Sequence, residues 1–201
     1  MSIDSGGYQL IVIGLSAGGL SALCAVLGGL PADFPVPIAV VQHRSRDSNA
    51  LASVLQDCTQ LRVCDVEDKT PIDRGEVHIA PPDYHVLVDD GFYSLSVDEP
   101  VTYSRPSIDV LFESAADLLG PKVIGIVMTG ANRDGSRGLR RIADAGGHVI
   151  VQDPDTAEVS VMPAAALALV PEAVSLPVHE MAAHLLEIVR SEPAQGERLT
   201  P

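Results

Sequence analysis

Three side chains far apart in the sequence, Ser16, His43 and Asp134, could together perform acyl transfer. Ser16 lies in Gly14-Leu15-Ser16-Ala17-Gly18, a G-x-S-x-G pattern that directly follows the apolar run QLIVI at 9–13. Flanking glycines permit a tight strand-to-helix turn that lifts a serine hydroxyl clear of a sheet. A helix N-terminus behind such a turn offers backbone N–H groups and a positive dipole to a developing oxyanion. A serine nucleophile needs a base, and the base needs an orienting carboxylate. His43 falls just past a second apolar run, PIAVVQ at 37–42, and Asp134 falls just past VIGIVM at 123–128. In an open parallel sheet, residues that follow strand C-termini converge on one edge, where ligands bind.

Other readings of the same residues are open. The five-residue pattern also fits an N-cap serine in a tight turn. A glycine-rich turn after a first strand can instead cradle a dinucleotide pyrophosphate. Two departures count against that cofactor. Ser16 replaces the middle glycine of GxGxxG, and the second strand ends in Val41-Gln42-His43 with no acid for a ribose. Among the other histidines, His78 and His148 fall within or at the start of strands, and His179 and His184 lie on the last helix. His85 opens a hairpin strand after Pro-Pro-Asp and is a minor candidate.

The elements that must position these groups follow from periodicity. Apolar runs predict strands at 9–13, 37–42, 61–66, 76–80, 123–128 and 148–152. Residues 85–97 alternate around Asp-Gly and predict a hairpin. Helical spacing is read at 18–27, 48–57, 107–119, with Ser107 as N-cap, 136–145 and 178–190. The order predicts an α/β fold. Its sheet is doubly wound and mostly parallel, with helices on both faces and an antiparallel β-hairpin insertion.

Composition narrows the function classes. The chain has 201 residues, of which 46% are apolar and 20% charged, enough apolar content for a full core. With 27 Asp and Glu against 13 Lys and Arg, the net charge is -14, which argues against a nucleic-acid partner and against docking on an anionic membrane. No run is long and apolar enough to span a bilayer, and the N-terminus lacks the basic start of a secretory signal, so a cytoplasmic protein is expected. Cys24, Cys58 and Cys64 have no paired spacing and are read as free thiols, and without CxxC no zinc site is expected.

Five segments in order, IGLSAGG (13–19), VVQHR (40–44), HIAPPDYH (78–85), SRPSIDVLF (104–112) and MTGANRDGSRGL (128–139), resemble the catalytic domain of the CheB family. These are chemotaxis protein-glutamate methylesterases that are also glutamine deamidases. The resemblance implies Ser16 as nucleophile, His43 as base and Asp134 as orienting acid. It implies a doubly wound α/β fold and no metal or organic cofactor. Its substrates would be γ-methyl-glutamyl residues on the cytoplasmic domain of a methyl-accepting chemoreceptor, and its products a carboxylate and methanol. Deamidation of glutamine is a further implied activity. The oxyanion and substrate-binding positions would be Ala17, Gly130 and Ala131.

The chain departs from the family pattern in three places. Ala17 stands where Thr is common, and Ala131-Asn132 where Met-Gly is common. A backbone donor survives side-chain replacement when its loop keeps its shape, so Ala131 is expected to serve. Asn132 matters if its position needs φ > 0. The expected domain covers residues 8–190, followed by a flexible tail at 191–201. With a first strand near residue 9, the receiver domain that some relatives carry is not expected within these 201 residues, which are read as a stand-alone esterase or as part of a longer chain.

Arg44, Arg46, Arg105, Arg133, Arg137, Arg140 and Arg141 lie in or near these motifs. Ordinary surface pairing accounts for most of them. As a group they suggest a basic rim, with Arg44, Arg105 and Arg133 as candidates for steering a glutamate-rich substrate. A monomer is expected. The competing functions are a non-catalytic CheB-like binding module and an esterase or amidase with the same triad acting outside chemotaxis.

Overall fold

The computed structural model describes residues 7–43 and 51–191. Its strands are β1 (Leu10–Leu15), β2 (Ile38–Gln42), β3 (Arg62–Asp65), β4 (Glu76–Ile79), β5 (His85–Asp89), β6 (Phe92–Ser96), β7 (Val123–Val127), β8 (His148–Gln152) and β9 (Val174–Leu176). Its α-helices are α1 (Gly19–Gly28), α2 (Leu51–Gln56), α3 (Ile108–Leu119), α4 (Ser136–Asp144), α5 (Val161–Leu169) and α6 (Val178–Ser191).

Seven strands form one parallel sheet in the order β3-β4-β2-β1-β7-β8-β9. The chain leaves β1 towards β2 and later returns to pair β7 on the other side of β1. That reversal opens a crevice at the C-terminal ends of β2, β1 and β7.

Alternation along each strand divides the core. Ile11, Ile13 and Leu15 of β1 pack with Leu23, Val26 and Leu27 of α1, Leu55 of α2 and Met181 and Leu185 of α6. Leu10 and Val12 point the other way, into a layer built by Leu111 and Phe112 of α3, Leu139 and Ile142 of α4 and Met162 of α5. Every residue of β1 is buried, so this strand reads as a continuous apolar run. Each fully buried Leu or Ile side chain contributes roughly 1.5–3 kcal/mol.

The Asp90-Gly91 turn joins β5 and β6 with Asp89 opposite Phe92, as the alternation predicts, but the hairpin forms its own two-stranded sheet. It is fixed to the main body by Val86, Val88 and Tyr93, which are buried in the second layer. Two elements carried no readable sequence signal. Helix α5 is nine residues long with Pro163 in its first turn, and β9 is three residues long and largely unburied.

The cysteine expectation needs correction. Cys24 and Cys58 are joined as a disulfide with their Cα atoms 5.3 Å apart, and Cys64 alone is free. The 34-residue separation hides a proximity that folding creates between α1 and the chain just after α2. Arg44, Arg46, the start of the 48–57 segment and residues 192–201 lie outside the described residues. Among the described residues no helix is long and apolar enough to cross a membrane.

Candidate active site

Ser16 occupies the turn between β1 and α1 and is partly buried. Its N–H donates to Thr129 O at 2.9 Å, and its carbonyl accepts from Gly19 N–H at 2.9 Å. Gly18, at φ 74°, makes the left-handed step that starts α1, a conformation glycine adopts without Cβ strain. No side chain caps this helix N-terminus, so its positive end faces the turn that carries Ser16.

His43 directly follows β2, and its backbone N–H donates to Leu15 O at 3.0 Å, which ties it to the end of β1. Its Nε2 lies 2.8 Å from Asp134 Oδ2. The imidazole is 13% exposed and the carboxylate 0%.

Asp134 is held at the N-terminus of α3. Oδ2 accepts the Ile108 N–H at 2.8 Å, and Oδ1 accepts the Ser107 hydroxyl at 2.9 Å and the Asp109 N–H at 3.1 Å. Burial alone would raise its pKa. The hydrogen bonds from His43, Ile108 and Asp109 outweigh burial and hold the carboxyl below its ordinary range. Ser107 does stand at the N-cap position, but its hydroxyl serves Asp134 and makes no cap bond of its own. His85 supports this arrangement from behind, its Nδ1 accepting the Ser107 N–H at 3.2 Å.

The imidazole tautomer follows from two constraints. An ionised Asp134 can only accept, so His43 Nε2 carries the hydrogen. Asn132 Oδ1 accepts the Asp134 N–H at 3.0 Å, which orients the amide so that Nδ2 faces His43 Nδ1 at 3.4 Å. The lone pair therefore sits on Nδ1. Among the described residues no hydrogen bond joins Ser16 Oγ to His43, so the structure brings His43 and Asp134 into contact and Ser16 to the same crevice. The sequence pattern marks Asn132 only through its backbone conformation, whereas its side chain enters the site. The positive-φ residues other than glycine among those described are Lys69, Asp83, Thr102 and Tyr103, so Asn132 carries no such strain.

The oxyanion candidates separate. Gly130 N–H donates to Val159 O at 3.0 Å, which removes it as a free donor. Among the described residues the N–H groups of Ala17 and Ala131 carry no hydrogen bond, and both residues are exposed. Thr129 braces the two loops, its hydroxyl donating to Ala17 O at 2.8 Å and accepting the Val159 N–H at 2.9 Å.

The basic rim is mostly spoken for. Arg105 Nη1 donates to the carbonyls of Val97 and Asp98 at 2.9 and 3.1 Å, which ties down the chain after the hairpin. Arg137 pairs with Asp109 and Glu113, Arg140 with Asp144 and Glu172, and Arg141 with Asp117. Arg133 is exposed and makes no ion pair among the described residues.

Comparison with known proteins gives the arrangement a family. The family model described as CheB methylesterase matches residues 11–185. A Leptospira interrogans protein is 44% identical over 162 residues, which cover 80% of this chain and 84% of that protein. A protein-glutamate methylesterase/protein-glutamine glutaminase of Anaeromyxobacter dehalogenans is 44% identical over 183 residues, covering 90% of this chain and 54% of the relative, so the chain spans about half of that protein's length. The crystal structure of the Thermotoga maritima CheB methylesterase catalytic domain superposes with a TM-score of 0.87 at 32% identity, covering 90% of this chain and 99% of that domain. The chain belongs to the CheB methylesterase family.

Proposed function

We propose that this member of the methylesterase family hydrolyses γ-glutamyl methyl esters through an acyl-enzyme on Ser16. The observation that carries this reading is the 2.8 Å contact between His43 Nε2 and a buried Asp134 whose carboxylate is fixed at a helix N-terminus. Such a pair supplies an oriented imidazole beside a serine on a glycine-flanked turn.

In the proposed sequence Ser16 Oγ attacks the ester carbonyl and passes its proton to His43 Nδ1. Asp134 stabilises the imidazolium through Nε2–H. The Ala17 and Ala131 N–H groups receive the oxyanion. Nδ1–H then protonates the departing methoxide, and methanol leaves. Water, deprotonated by Nδ1, attacks the acyl-enzyme, Nδ1–H returns that proton to Ser16 Oγ as the bond breaks, and the glutamic acid leaves and loses its proton to solvent. A glutamine amide taken through the same steps releases ammonia. The substrate is a methylated segment of a chemoreceptor's cytoplasmic domain, which places the reaction in the cytoplasm. The steps route no chemistry through a metal or organic cofactor.

The test is methanol release from a methylated receptor cytoplasmic domain. The expected result is turnover by the wild-type chain and loss of it in Ser16→Ala with an unchanged fold. Equal turnover in that variant removes Ser16 as nucleophile. An inert wild-type chain that a serine-directed phosphonate does not label favours the binding-module reading, which the Asn132 amide on Nδ1 motivates.

A further inference from the structure

The esterase chemistry leaves unused a cluster on the hairpin-facing side of β3 and β4. Val63, Val77 and Ile79 pack against the core on the α1 and α6 side. Strand alternation therefore turns Cys64, Glu76 and His78 to the opposite face, where Tyr93 of the hairpin covers them. The parallel register sets Cys64 directly against His78 and Arg62 against Glu76.

Cys64 Sγ, a Glu76 carboxylate oxygen and a His78 ring nitrogen all lie within 4.8 Å of one another. His78 Nε2 is 3.4 Å from Glu76 Oε2, and Cys64 Sγ is 3.8 Å from the same oxygen. In a tetrahedral zinc site with ordinary bond lengths, nitrogen–oxygen and sulfur–oxygen ligand pairs stand about 3.4 and about 3.6 Å apart. The nitrogen–oxygen and sulfur–oxygen pairs of the cluster, at 3.4 and 3.8 Å, lie close to those values.

A second observation points to a ligand. His78 is fully buried, yet its Nε2 makes no hydrogen bond. Glu76 Oε2 faces it at 3.4 Å without hydrogen-bond geometry, and a buried polar atom so placed requires an explanation. Nδ1 lies 3.4 Å from the Tyr93 hydroxyl, which stands where an outer partner would orient a metal-binding imidazole. The other oxygen of Glu76 is held by Arg62 Nη1 at 2.6 Å, which leaves Oε2 facing the cluster.

The geometry points to a three-ligand site, Cys64, Glu76 and His78, for a borderline-soft divalent cation, Zn2+ first, with a water completing the tetrahedron. Thiolate, imidazole and carboxylate together match zinc better than the oxygen-only sets of magnesium or calcium.

The test titrates the purified, chelator-stripped full chain with Zn2+, and with Co2+ for spectroscopy. The expected result is one equivalent bound per chain and a thiolate-to-cobalt charge-transfer band with tetrahedral ligand-field intensity. Cys64→Ser should abolish the band, and Cys64→Ser and Glu76→Gln should each weaken Zn2+ binding about tenfold or more. Both positions are only partly buried on edge-proximal strands, so these variants should fold, which far-UV circular dichroism checks. Ser16→Ala should bind as the wild type does. Absence of stoichiometric binding, or binding that neither variant weakens, overturns the proposal.

Discussion

Asp134 and Asp109 cap each other's helices. Asp134 accepts the Ile108 and Asp109 N–H groups at the start of α3, and Asp109 Oδ1 accepts the Gly135 and Gly138 N–H groups at the start of α4, at 2.9 and 2.8 Å. Each carboxylate satisfies amides that a helix N-terminus leaves without partners. The loop that carries Asp134 is thereby locked against α3, and the acid that orients His43 is part of the packing between two helices.

The two carboxylates should respond to pH in opposite senses. Burial raises the Asp109 pKa despite its amide donors, whereas the Asp134 pKa is lowered by His43 and the α3 amides in spite of burial. A depressed carboxyl contributes stability that is full above its unfolded value, about pH 4, and is lost as pH falls through the folded value. The raised Asp109 does the reverse, losing its contribution as pH rises through its folded value. Asp134→Asn should cost about 1.5–3 kcal/mol at pH 7 in urea unfolding, with the gap to wild type narrowing below about pH 4. It should also lower kcat by about 10^4 by favouring the wrong imidazole tautomer. Asp109→Asn keeps an amide oxygen for Gly135 and Gly138 and should cost about 1 kcal/mol or less. Equal costs at pH 7 would refute the asymmetry.

Asn132 should restrain the proposed base. Its Nδ2 faces the Nδ1 lone pair that Ser16 would reach in the proposed mechanism, which therefore requires that hydrogen bond to break. A hydrogen bond of this kind is worth about 0.5–1.5 kcal/mol net. Asn132→Gly should therefore raise kcat up to about tenfold with KM little changed. Asn132→Asp presents a carboxylate oxygen to Nδ1, draws the proton there and should suppress turnover. Ring 15N chemical shifts of His43 report the change directly. The wild type and the glycine variant should show an unprotonated Nδ1, and the aspartate variant a protonated one.

The strands that deliver Ser16, His43 and Asp134 were legible because each is a buried apolar run ending at a polar residue, and a parallel sheet gathers such ends at one edge. The Asp-Gly turn of the hairpin was legible for a local reason. What escaped reading depends on partners distant in sequence. Ser107 looks like a helix cap, but its hydroxyl goes to a carboxylate 27 residues away. The Cys64, Glu76 and His78 cluster has no motif spacing, since its ligands meet only through the register of β3 on β4. Helix α5 is short and rich in alanine, so no amphipathic face marks it.

Gly14 should be intolerant of any side chain, through a route that ends at Asp134. A Cβ at position 14 would stand 2.2 Å from Ile108 Cγ2, closer than real carbon contacts allow. Ile108 is fully buried at the first turn of α3, and its N–H is a donor to Asp134 Oδ2. The helix can relieve the overlap only by moving away from β1, which draws the amide cradle off the carboxylate. Overpacking of this kind costs about 1–3 kcal/mol. Gly14→Ala should show that loss in thermal unfolding together with a fall in kcat, while Ile108→Ala in the same background, which removes the Cγ2, Cγ1 and Cδ1 atoms of the clash, should recover part of the lost kcat. A Gly14→Ala chain with wild-type stability and turnover would show that α3 does not depend on this close approach.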